Sequence, residues 1–151
     1  MELVISYIYA GNVKFARIIS EGKRLQTAMQ LLVLGNYFVI GELLIDVNEF
    51  IFNDILPSIT RHPTTRSPRQ EVRSVDLEDW VAACRLVYGT LSKTKRSKSL
   101  RVTFLKLTFG SRLLCKQILK MSEFKTLCLK YPDFSSDSMI ELLGIGAIVL
   151  Q

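Results

Sequence analysis

A chain of 151 residues with 48% apolar side chains, four prolines and eight glycines can build one domain with a sizeable core, and it is too apolar to be disordered throughout. Its net charge of +6 is unevenly placed, with eleven Lys or Arg between Lys93 and Lys130 against the single acid Glu123, a pattern that fits either a solvated face or an anionic partner such as nucleic acid. No apolar run approaches the roughly 18 residues of a membrane span, and Glu2 stands where a secretion signal carries positive charge.

Cys84, Cys115 and Cys128 are odd in number and lack a Cys-x-x-Cys pair. Each sits within an apolar helical pattern, so they read as reduced, buried thiols of a cytoplasmic or nuclear protein.

Met1 to Ala10 is apolar at Leu3, Val4, Tyr7 and Ile8, which is helical spacing, and Gly11-Asn12 stops it. Val13 to Ile19 is ambiguous between a short strand and an extended connector. Leu25 to Leu56 then predicts two amphipathic helices joined by a turn near Tyr37 to Gly41. Leu25, Ala28, Met29, Leu32 and Gly35 line one face of the first. Leu43, Leu44, Val47, Phe50, Ile51 and Ile55 line the second, and Glu42, Asp46, Glu49, Asn53 and Asp54 occupy its other face. Pro57 is expected to end that helix.

Ile59 to Ser74 reads as an exposed basic linker, with two prolines and four arginines. Asp76 opens the next helix, and Asp79 three positions later suggests a capping box. Its stripe is Leu77, Trp80, Val81, Cys84, Val87, Tyr88 and Leu91. A basic turn, Ser92 to Lys98, leads into one long helix from Ser99 to Met121, bent at Gly110-Ser111. Ser122 is expected to cap a short helix that Pro132 ends. A last helix is expected from about Asp137 to Leu143.

Catalytic groupings are missing from this pattern. The one histidine, His62, lies in the linker without an acidic orienter beside it. The carboxylates of the second helix read as solubilising charges rather than an acid/base pair. No metal-ligand spacing occurs, and Gly144-Ile145-Gly146 lacks the strand and helix that flank a phosphate-binding loop. Catalytic, cofactor-binding and metal residues are therefore all read as none. The aromatics Tyr7, Tyr9, Tyr37, Phe38, Phe50, Phe52 and Trp80 have the spacing of core rather than of a ligand box. The candidate anion-binding residues are Lys93, Lys95, Arg96, Lys98 and Arg101.

With these elements in place the chain resembles the fungal branch of BTB/POZ domain proteins. LVISYIYAGNV at Leu3 to Val13 looks like that family's "YlYTGdY" helix-turn, with Ala10 where Thr is usual. Leu31 to Ile51 is similar to "vYvLAdKYdIpgLkelA..kF", with Gly35 in place of Ala. After the linker, Arg85, Leu86, Val87, Tyr88, Thr90, Leu100 and Arg101 fall on the recurring positions of "dFleairlvYesTp..drgLRdvvv.fa". Phe124, Leu127, Pro132 and Phe134 match "F.elL.evPeFa.dLl..L".

The resemblance implies an all-α or nearly all-α chain: the C-terminal helical half of a BTB/POZ-like domain (1–58), a basic linker (59–74) and a four-helix C-terminal extension (75–151). It implies a non-enzymatic protein–protein interaction module whose partner is a cullin-type ubiquitin ligase scaffold or another BTB protein. The family's strands and dimer face would precede Met1, which leaves homodimerisation of the usual kind open. Two other readings stand beside it: a basic helical module for nucleic acid or another anionic partner, and a truncated gene product without independent function.

Overall fold

The computed structural model describes residues 23–60, 71–90 and 95–146, and every regular element among them is helical. The segments expected before Gly11 and at Val13–Ile19, most of the basic linker and residues 147–151 lie outside the described residues.

Helix α1 (Arg24–Tyr37) buries Leu25, Ala28, Met29, Leu32 and Gly35, the expected stripe, with Leu31 beside them. Gly35 is where the following helix comes close. A Cβ there would lie 3.1 Å from Leu44 Cδ2 and 3.3 Å from Leu43 Cδ2, tighter than ordinary contact. The end of α1 is a Schellman turn. The Ile40 N–H donates to the Gly35 carbonyl at 2.9 Å, and the Val39 N–H to Asn36 at 3.3 Å. The residue that must turn left-handed in this motif is Val39, with φ of 58°. Glycine takes that conformation freely, whereas a β-branched side chain is strained in it.

Helix α2 (Gly41–Phe50) runs into a π turn (Ile51–Ile55) and then α3 (Leu56–Thr60). Leu43, Val47, Ile51 and Ile55 are fully buried at steps of four. In a regular α-helix each such step drifts round the axis by roughly 40°. The wider π turn rotates less per residue and holds Ile55 toward the core. It also explains why Pro57 does not end the helix as expected. Leu56 donates to the Ile51 carbonyl, so the ladder has already shifted where it meets the residue that cannot donate. Arg24 Nη1 then fastens α3 to the start of α1 through the Ser58 hydroxyl, at 3.0 Å, and that hydroxyl donates to the Ile55 carbonyl at 2.7 Å.

Helix α4 (Ser74–Thr90) starts two residues ahead of Asp76, so Asp76 is in its first turn and pairs with Arg73 Nε at 3.0 Å. Asp79 does not close a capping box. Its carboxylate leaves α4 and accepts the Leu25 N–H at 2.8 Å and the Gln26 N–H at 3.0 Å. It thereby caps α1, which has no side-chain cap of its own. Trp80, Val81, Ala83, Cys84 and Val87 of α4 are buried in the same core as the α1 and α2 residues. One core thus runs across both sides of the expected linker.

The expected long helix is two: α5 (Lys95–Phe109) and α6 (Arg112–Lys120). At Gly110 a Cβ would sit 2.9 Å from the Lys106 carbonyl oxygen, which only glycine avoids. Ser111 then caps α6, its hydroxyl accepting the Leu114 N–H at 3.4 Å. Ser122 is the first residue of α7 (Ser122–Lys130) rather than its cap, a position Met121 holds. Pro132 opens α8 (Pro132–Gly144) at a position where a missing N–H costs nothing. The last helix is therefore longer than expected, and five helices rather than four follow the linker among the described residues.

Burial pushes the Asp79 carboxyl above its usual value of 3.8, against the two backbone N–H groups and Arg24, which pull it down. Such a group holds its proton more readily folded than unfolded. Its stabilisation is present below the unfolded value and is lost as pH rises through the folded one. Asp79→Ala leaves two buried donors without a partner and is expected to cost about 2–3 kcal/mol in urea unfolding. Asp79→Asn is expected to cost less, and the advantage of wild type over it to grow as pH falls from neutral toward 4. Val39 is largely exposed, so Val39→Gly relieves strain without losing packing. It is expected to raise stability by about 1 kcal/mol, read as a higher thermal midpoint.

Candidate functional site

Of the basic run, the side chains of Lys98 and Arg101 are described, and they differ in exposure. Lys93 lies outside the described residues. Lys95 and Arg96 begin α5, and Lys98 is exposed one turn later. Arg101 is turned the other way and is buried, 7% exposed.

Its guanidinium meets residues from two other helices. Nη1 lies 3.7 Å from Asp133 Oδ2, and Nε lies 4.0 Å from Asp137 Oδ2. The guanidinium carbon stands 5.7 Å from the centre of the Tyr88 ring, a cation–π contact. The Tyr88 hydroxyl donates to Asp137 Oδ2 at 3.0 Å. Burial, and then the Asp137 carboxylate, push the Tyr88 phenol well above its ordinary range, so it stays a donor at any physiological pH. Arg101 therefore ties α4, α5 and α8 together. Its residue type is that of a phosphate binder, and its surroundings are those of a structural ion pair.

Around this polar group lies an aromatic cluster. Phe134 of α8 packs against Tyr88 at 5.3 Å, Phe124 at 5.7 Å and Trp80 at 6.2 Å, and Trp80 stacks with Phe104 at 6.0 Å. Edge-to-face and tilted contacts of this kind add to the burial of large rings. They fix the angles between α4, α5, α7 and α8.

Of the aromatics expected in the core, only part is there. Trp80 is fully buried and Phe50 half-buried, whereas Tyr37, Phe38 and Phe52 are exposed at 78%, 46% and 63%. Tyr37 and Phe38 meet edge to face at 5.1 Å. Tyr7, Tyr9 and His62 lie outside the described residues. The exposed rings, together with Ile45 at 60%, give the α1–α2 region an apolar outer surface. Periodicity hid it, because α2 carries apolar side chains on more than one face.

Two clefts lie among the described residues. One, of ≈ 440 Å³, lies beside α4 and is lined by Leu77, Glu78, Val81, Arg85, Met121 and Glu123 among others. The other, of ≈ 690 Å³, lies between the π turn with α3 and the α5–α6 break, against Phe52, Pro57, Lys106, Leu107 and Gly110. Among the described residues neither lining includes a His or Cys. Among the described residues no group of three His, Cys, Asp or Glu is placed to hold a metal ion, and no helix is long and apolar enough to cross a membrane. Cys84 and Cys115 are buried and Cys128 is half-buried, all as free thiols. Burial raises each of them away from the reactive thiolate form.

No family model, no curated protein and no solved structure matches this chain.

Arg101→Ala removes the cation between Asp133 and Asp137. It is expected to cost about 2 kcal/mol, less than a fully enclosed pair because Asp133 is partly in solvent. Lys98→Ala is expected to stay within about 0.5 kcal/mol of wild type. Paired denaturant titrations of the two variants check the contrast.

Proposed function

We propose that this chain is a non-enzymatic protein–protein interaction module of BTB/POZ type, acting inside the cell as an adaptor toward a cullin-type ubiquitin ligase scaffold. One observation carries the reading. The positions on which the resemblance rests after the linker are scattered from Arg85 to Phe134 in sequence, yet several of them meet in one cluster. Tyr88 touches Arg101 and Phe134, and Phe134 touches Phe124. Leu100 and Leu127 are buried in the same core. Residues that recur together in a family pattern are expected to be neighbours when they hold helices at fixed angles, and these are neighbours.

Two further features favour an interaction role. Buried, unreactive free thiols suit a reducing compartment, cytoplasmic or nuclear. The exposed Tyr37, Phe38, Ile45 and Phe52 offer the aromatic and aliphatic side chains that anchor protein interfaces. The competing reading, an anion-binding run from Lys93 to Arg101, is weakened because Arg101 is already committed to two carboxylates.

The test is co-precipitation of the purified chain with a cullin scaffold, using a full-length BTB protein as positive control. Capture above background is the expected result. Capture of the control alone, at equal loading and with the chain shown to be folded by circular dichroism, removes the adaptor reading.

A further inference from the structure

Charge is divided sharply along the chain. From Leu25 to Thr60 there is no Lys or Arg, and there are four acids: Glu42, Asp46, Glu49 and Asp54. That stretch carries −4 within a chain of net +6, leaving +10 for the remainder. The acidic stretch is also where the large exposed apolar side chains of α2 and the π turn lie. Ile45 and Phe52 are seven residues apart, so they share one side of the helix, and Glu42 and Glu49 form a row beside them at the same spacing. All four are exposed. An apolar pair bordered by carboxylates is a surface whose complement is an apolar side chain bordered by cations.

That complement is present on α6 of the same chain. Arg112, Lys116 and Lys120 follow one another at steps of four and are exposed, and α6 holds no acid. Leu119, 38% exposed, stands beside them. The three cations span roughly 12 Å along the helix and the two glutamates roughly 10 Å, at 1.5 Å per residue. The buried side of α6, with Leu114, Cys115 and Ile118, anchors it to the core, so its cationic side is presented on a fixed support.

We propose that the Ile45/Phe52 face of α2, with its Glu42–Glu49 row, docks the Arg112/Lys116/Lys120 face of α6 from a second copy of this chain. The reading is independent of any cullin partner. One helix face against another covers less than the roughly 800 Å² per partner of a standard interface, so the association is weak and depends on salt. The two faces are different surfaces, which makes the contact heterologous. Opposite charge steers the encounter, and the apolar side chains meet in the middle once water is expelled.

Sedimentation velocity on the whole chain tests this, with circular dichroism confirming that each variant is folded. All substitutions are of exposed side chains. The wild type is expected to sediment faster as its concentration rises at low salt, and to return to monomer by about 0.5 M salt, where the Debye length is only a few ångström. Reversing the acidic row with E42K and E49K is expected to abolish the association, as is reversing the basic row with R112E, K116E and K120E. Mixing these two variants is expected to restore a complex, because each retains one native face. Carrying all five reversals in one chain is expected to restore self-association. A wild type that stays monomeric at low salt up to roughly millimolar concentration overturns the proposal. Association that neither reversal changes overturns it too. So does a five-fold variant that remains monomeric where both partial reversals abolish association, since the two faces would then meet something other than each other. Binding of a polyanion by α6, or of polylysine by α2, without any self-association also counts against it.

Discussion

A single buried carboxylate links the two ends of this helical core. Helix α1 enters from Lys23 with no side chain of its own to accept the first backbone N–H groups, and buried helix starts without acceptors are costly. Asp79, from the first half of α4, supplies both lone acceptors to Leu25 and Gln26. The contact fixes more than one helix end. It sets the height of α1 against α4, and so which apolar residues of α1 meet Trp80, Ala83, Cys84 and Val87. Ionised, the carboxylate is stabilised by the N–H groups and by the positive end of the α1 dipole. Burial works against that ionisation, so the cap is held by geometry as much as by charge.

From that pair the rest of the core follows in two directions. Toward the N-terminal side, Gly35 lets Leu43 and Leu44 close over α1, and the Arg24–Ser58 hydrogen bond brings α3 back beside the same helix start. Toward the C-terminal side, Trp80 carries α4 into the rings of Phe104 and Phe134, with Arg101 filling the polar corner against Asp133 and Asp137. A chain that reads as two regions with a basic linker between them shares one continuous set of buried residues.

The helical stripes were legible because burial follows the 3.6-residue period: the five stripe residues expected on α1 are all buried. What was not legible depends on distance or on identical chemistry. The spacing of Asp79 from Asp76 suggests a local cap, while its partners lie 54 and 53 residues away, which no local pattern reports. Arg101 has the same residue type as its basic neighbours, and only the approach of α8 separates it from them. Pro57 looked like a stop because a proline breaks an α ladder; a π turn ahead of it is a tertiary solution that propensity does not encode. Gly110-Ser111 suggested a bend and is a break, since the Lys106 carbonyl leaves no room for a side chain and Ser111 is suited to start a new helix. The exposed faces of α2 and α6 are legible in hindsight as charge segregation, but which apolar residues of α2 stay outside depends on the crossing of α1.

The π turn also governs how this sequence can change length. One extra residue is accommodated there between two stretches of ordinary helix. Losing one residue from Ile51–Ile55 would return the segment to a regular ladder with the helix after it close to its present phase, whereas one further inserted residue would swing that helix by roughly 100° about its axis. Ile55, Leu56 and Ile59, all buried, would then point away from α1, and Ser58 would leave Arg24. The turn thus absorbs one residue of length and no more, while Asn53 and Asp54 on its outer side are exposed.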